Sequence, residues 1–134
     1  MARKRPLPLR LPSRRTKEEI VSKVDDDGNE IAGVRLPGVE APIATTTGWA
    51  LRAAATGGND GCEANGQYIP FQTTKVQREA IGDPRKSLEE RYKGHAGYVK
   101  EVAKAAQELL KDGFLLADDV QRYIDEADAS NVLK

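Results

Sequence analysis

Few residues in this chain could do chemistry. His95 is the single histidine and Cys62 the single cysteine. A thiolate nucleophile needs a neighbouring base or cation to hold its charge, and His95 is the one imidazole available for that. Nothing near Cys62 in sequence would activate it. It is expected as a small packing residue or, in a longer chain, as half of a disulfide. A disulfide within the chain is excluded by the count. One His and one Cys cannot build a four-ligand zinc site. The serines are Ser13, Ser22, Ser87 and Ser130. None has glycine two residues before and two after it, so the strained Gly-x-Ser-x-Gly elbow is missing. Asp25-Asp26-Asp27-Gly28 invites a calcium reading. With Gly28 at the sixth position of an EF-hand loop, Lys23 takes the first position and Val34 the twelfth, where a bidentate Glu is required. The run is therefore expected to be an acidic turn. Gly48-Trp49 with Arg52 could stack a cation on the indole, but the more common role of such a Trp is to anchor a loop on a core. No phosphate-cradling or dinucleotide motif is present. The residues themselves assign no catalytic position, no cofactor and no metal ligand.

The elements that would position these side chains fall into three stretches. Ile20 to Leu36 reads as a hairpin. Val21 and Val24 lead into Asp-Asp-Asp-Gly-Asn (25–29), where Gly28 can take positive φ at no steric cost, and Ile31, Val34 and Leu36 return. Thr16-x-x-Glu19 matches a capping box, so a short helix over 17–23 competes with the first strand. Pro37 to Phe71 reads as one long loop, rich in Gly, Thr and Asn. Loops of that length are uncommon inside a compact domain, so this one is expected to lie across a larger body. The last third reads as helices. Thr73 or Thr74 caps a short one carrying Val76 and Ala80, stopped by Gly82-Asp83-Pro84. Ser87-x-x-Glu90 is a capping box for the next, with Leu88 and Tyr92 apolar. Gly94 and Gly97 weaken the turn that follows by about 1 kcal/mol each relative to Ala. Tyr98, Val102, Ala105, Ala106, Leu109 and Leu110 share one helical face, Gly113 fits a C-terminal cap, and Asp118 opens a last helix through Val120, Tyr123, Ile124 and Ala127. Each amphipathic helix has one face that needs a partner. The fold class is thus α+β: an N-terminal β-hairpin, a long loop, then C-terminal amphipathic helices.

Charge divides the chain. Net charge is zero, yet residues 1–17 carry Arg3, Lys4, Arg5, Arg10, Arg14, Arg15 and Lys17 and no acid. Removing those 7 from the 21 basic residues leaves 14 against 21 acids, so residues 18–134 carry −7. Residues 1–17 are expected to be a disordered basic arm, because Leu7, Leu9 and Leu11 are too little apolar surface to offset ordering entropy. Such an arm could bind phosphates, but it has no aromatic for base stacking, so nucleic acid is not the expected partner. No apolar run reaches the roughly 18 residues of a membrane span, and the basic N-terminus is not followed by the apolar stretch of a signal peptide.

Gly-Val-Arg-Leu-Pro (33–37), Thr-Gly-Trp (47–49), Asp-Gly-Cys-Glu (60–63), Ile-Pro-Phe (69–71) and Gly-Asp-Pro-Arg-Lys-Ser-Leu-Glu-Glu-Arg-Tyr (82–92) stand in this order. Together they resemble the C-terminal part of a large, poorly characterised bacterial α/β-hydrolase domain family, over roughly residues 21 to 130. The resemblance implies an esterase-type parent of unknown substrate, with residues 18–134 as the C-terminal portion of its domain. A full sheet with its helices needs about twice this length. The expectation is therefore a fragment that is inactive alone, partnered by the missing N-terminal part of the hydrolase domain and prone to self-association. A histidine late in the chain could complete a triad in such folds, but the resemblance carries no triad role onto His95. The alternative is a small helical interaction module whose basic arm binds an acidic partner.

Overall fold

The computed structural model describes residues 22–51, 61–62 and 66–134. The basic arm, Ile20, Val21 and Arg52 lie outside the described residues, as does the side chain of Cys62.

The acidic turn forms where expected. Asp25 bends the chain onto itself: its Oδ1 accepts from the backbone N–H of Asp27 and of Asn29, and its N–H reaches the Asn29 carbonyl. Gly28 sits at φ 81°, and a Cβ there would meet Thr45 Cγ2 at 2.8 Å, so glycine is required for conformation and for space. Val24 and Glu30 make a single antiparallel bridge across the turn. Among the described residues no further pair follows. The return segment instead runs into α1, Pro37–Glu40, which starts on Pro37 because its missing N–H is no loss in the first turn.

The stretch expected as one long loop contains strands. β1 (Ala44–Thr47) pairs antiparallel with β4 (Gln67–Pro70), and β2 (Ala50–Leu51) with β3 (Gly61–Cys62). The β-branched run Thr45-Thr46-Thr47 suits a pleated, half-buried strand, a signal that the surrounding glycines obscured. The opposite edge of β1 is served by a side chain. Asn29, 1% exposed, donates from Nδ2 to the Ala44 carbonyl and accepts on Oδ1 from the Thr46 N–H. Of the hairpin expected over 20–36, the described residues 22–36 form a turn with one bridge, and the Asn29 amide stitches its tip to the edge of β1.

The helices follow their local signals. α2 (Lys75–Ala80) and α3 (Leu88–Tyr92) both begin with full capping boxes, Thr74 with Gln77 and Ser87 with Glu90. α4 (His95–Lys111) buries Val102, Ala105 and Ala106, and α5 (Ala117–Ala129) buries Val120 and Ala127. Gly113, at φ 80°, closes α4 as expected. The core gathers Ala41, Tyr92, Val102 and Ala127, with Leu88, Tyr98, Val99, Tyr123 and Leu133 against it. Tyr92 and Tyr98 meet edge to face at 5.2 Å, and Tyr92 Oη donates to the Pro42 carbonyl at 2.7 Å, so its one polar atom is satisfied. Gly97 has a different role from the one composition suggests. A Cβ there would overlap the Tyr92 carbonyl, so glycine lets α4 turn back against α3.

Candidate functional site

The densest cluster of ionisable groups is built on Phe71. Its ring is buried, with the Arg85 guanidinium 5.0 Å and the Arg91 guanidinium 4.3 Å from its centroid. Arg91 grips Asp27 with both terminal nitrogens, one at 2.7 Å, and its Nε donates to the Lys86 carbonyl at 3.0 Å. Arg85 forks onto Asp83, Nε to Oδ1 at 2.9 Å and Nη2 to Oδ2 at 2.6 Å, while its Nη1 reaches Thr45 Oγ1 at 2.8 Å and the Ile69 carbonyl at 3.0 Å. From α2, Arg78 forks onto Glu90 at 2.6 and 2.8 Å, and Glu90 also accepts from the Ser87 N–H and hydroxyl. Within the 82–92 segment Arg91 thereby holds the acidic turn, Arg85 holds β1 and β4, and Glu89 and Glu90 hold α2 against α3.

The electrostatics agree. The hydrogen bond from Arg85 holds the Asp83 carboxyl below its usual range against the opposing pull of burial. The hydrogen bond from Arg78, then that from the Ser87 backbone, holds Glu90 well below it. Burial pushes Asp25 up, but hydrogen bonds from Arg35 and from the Asn29 and Asp27 amides outweigh it and keep Asp25 low. Burial pushes the Tyr92 and Tyr98 phenols up. A cleft of about 260 Å³ opens beside the cluster, lined by Asp26, Asp27, Pro84, Arg85, Lys86 and Arg91. Both arginines are forked to carboxylates, which leaves Lys86 as the one lining cation outside the described ion pairs, and no base stands beside a nucleophile in the lining. It is a clasp, made of strong charge-assisted pairs.

The residues singled out for chemistry are dispersed. His95 opens α4, and its ring faces two backbone carbonyls, Nδ1 that of Val132 at 2.8 Å and Nε2 that of Asp128 at 3.1 Å. Both nitrogens are thus turned to the end of α5 and the chain after it. Ser87 is fully buried as a cap, and Ser130 donates to the Ala127 carbonyl. Of the acidic 25–28 run, Asp25 is spent on the turn and on Arg35 and Asp27 on Arg91, while Asp26 is exposed. The Trp49 indole N–H is buried without a hydrogen-bond partner among the described residues. Among the described residues no group of three or more His, Cys, Asp or Glu could hold a metal ion, and no described helix is long and apolar enough to cross a membrane.

Comparison with known proteins gives one match. The family model described as alpha/beta hydrolase domain matches residues 2–125. The match begins ahead of the segments quoted above and takes in the basic arm. No curated protein and no solved structure matches the chain.

Proposed function

The chain belongs to the alpha/beta hydrolase domain family, and from that premise we propose that it forms the C-terminal portion of an esterase-type hydrolase fold and has no turnover of its own. What carries this reading is the state of His95. A triad histidine takes a proton from serine on one nitrogen and is oriented by an acid on the other. Both nitrogens of His95 are instead turned to backbone carbonyls of this chain, and no serine in the sequence lies in an elbow. The same reading accounts for the apolar surface. Val76 is 75% and Ile81 66% exposed at α2, while Tyr68 and Ile69 stand out from β4. In a layered α/β fold such faces pack on a neighbouring sheet or helix. The partner is then the remainder of the hydrolase domain, and the arginine clasp keeps this portion in shape for it. The test is hydrolysis of p-nitrophenyl esters by the purified chain, which is expected to stay at the uncatalysed rate. Turnover above that rate, abolished by His95→Ala, would overturn the proposal and give His95 a catalytic role.

A further inference from the structure

We propose that the groove between α4 and the chain at 33–35 is the docking site of this protein's own basic arm, residues 1–17. The groove has a volume of about 340 Å³. Its apolar surface comes from Val34, Ala105, Leu109 and Phe114, with the Phe114 ring 59% exposed beside it. Its rim carries Glu108 and Asp112. No described cation pairs with either carboxylate. Arg35 also lines the groove, but Asp25, Glu40 and the Glu30 and Val39 carbonyls already occupy its guanidinium. The site therefore suits an apolar segment flanked by positive charge, and it disfavours an anionic small molecule.

The arm has that chemistry. Leu7, Leu9 and Leu11 alternate, which puts them on one side of an extended chain. Pro6, Pro8 and Pro12 favour the extended form and reduce the entropy lost on docking. Seven positive charges and no acid face a body of net −7, and opposite charges at short range attract even in water. A composition that does not fold alone can order against such a groove. The family match starts at residue 2, so it takes in arm and body together. Reach is no obstacle. A 21-residue segment ahead of Ser22 spans up to roughly 70 Å when extended, against a radius of gyration of about 14 Å for a domain this size. A second copy is a poorer occupant, because it would bring the same acidic rim against itself. The inference uses membership of the family and does not depend on whether the chain has activity.

Limited trypsin cleavage after Arg10, Arg14 and Arg15 tests it in the full chain. At low salt these bonds are expected to be cut at least ten-fold more slowly than in a synthetic peptide of residues 1–17. Asp112→Lys, an exposed and mild change, should bring the rate to that of the peptide, as should Phe114→Ser or raised salt. Val76→Ser, on the separate α2 face, should leave the arm protected. Cleavage of the unaltered chain at the peptide's rate would overturn the proposal, and so would equal release by Val76→Ser. Protection that grows with protein concentration would assign the groove to another copy's arm and overturn docking within one chain.

Discussion

At the residue scale, two glycines and two arginines decide the local geometry. Gly97 shows how composition and packing can point in opposite directions. Propensity alone makes Gly97→Ala stabilising by about 1 kcal/mol. The backbone of Tyr92 leaves no room for the added methyl, so the helix start must shift or α4 must move off α3. Overpacking of this kind costs about 1–3 kcal/mol. We expect Gly97→Ala to lower the urea midpoint, whereas Ala103→Gly, on the same helix, should lower it only by the propensity difference. A rise in midpoint for Gly97→Ala would mean that α3 and α4 do not cross as described. Gly28 is constrained in the same double way, by φ and by Thr45. The arginine pairs were not legible in the sequence. Arg91 finds Asp27 across 64 positions and Arg85 finds Thr45 across 40. Nothing local marks one arginine among many for such a contact.

At the element scale, what was legible is what is local. The capping box at Ser87, a threonine cap for α2, the stop at Gly82, the glycine after α4 and the buried faces of α4 and α5 all follow from spacings of a few residues, while the choice of Thr74 over Thr73 and its box with Gln77 come from the structure. The β1–β4 pair is not of that kind. Its partners lie twenty or more residues apart, each strand is four residues long, and β4 ends in a proline. Short strands give too few alternations for a period to register. The caps and pairs also set the response to acid. Asp83 and Glu90 are held low by Arg85 and Arg78, and Asp25 by Arg35 and two amides against burial. The folded state therefore binds protons less readily than the unfolded chain, whose Asp and Glu titrate near 3.9 and 4.3. Stability from these groups is complete above about pH 5 and is lost as the pH falls through about 4 toward the folded values. We expect the urea midpoint to be level from pH 7 to about 5 and to drop below 4. Glu90→Gln should start lower at pH 7 and show a shallower acid drop. An equally steep drop in that variant would mean that the Arg78–Glu90 pair does not contribute to it.

At the scale of the whole molecule, the described residues bury little for their number. The core is Ala41, Tyr92, Val102 and Ala127 with partly buried neighbours, and α2 buries no side chain at all. Meanwhile Val76, Ile81, Tyr68, Ile69 and Leu116 are all exposed. Apolar surface of that extent marks a binding face or an association hazard. Docking of the arm would cover Phe114 and Leu109, but it would leave the α2 and β4 faces open, since these lie outside the groove. The two coverings are separable by one dye. The full chain is expected to bind ANS and to melt over a broad range, because a small core and a set of surface clasps do not unfold as one unit. Deleting the arm should raise ANS binding further by freeing the groove. Val76→Ser with Ile81→Ser should reduce it in either background, because those side chains are exposed on the α2 face, outside the groove. A monomer with a sharp two-state melt and no ANS binding would show that this chain is closed on itself. The apolar faces would then be ordinary surface, and the case for a missing hydrolase portion would lose its physical support.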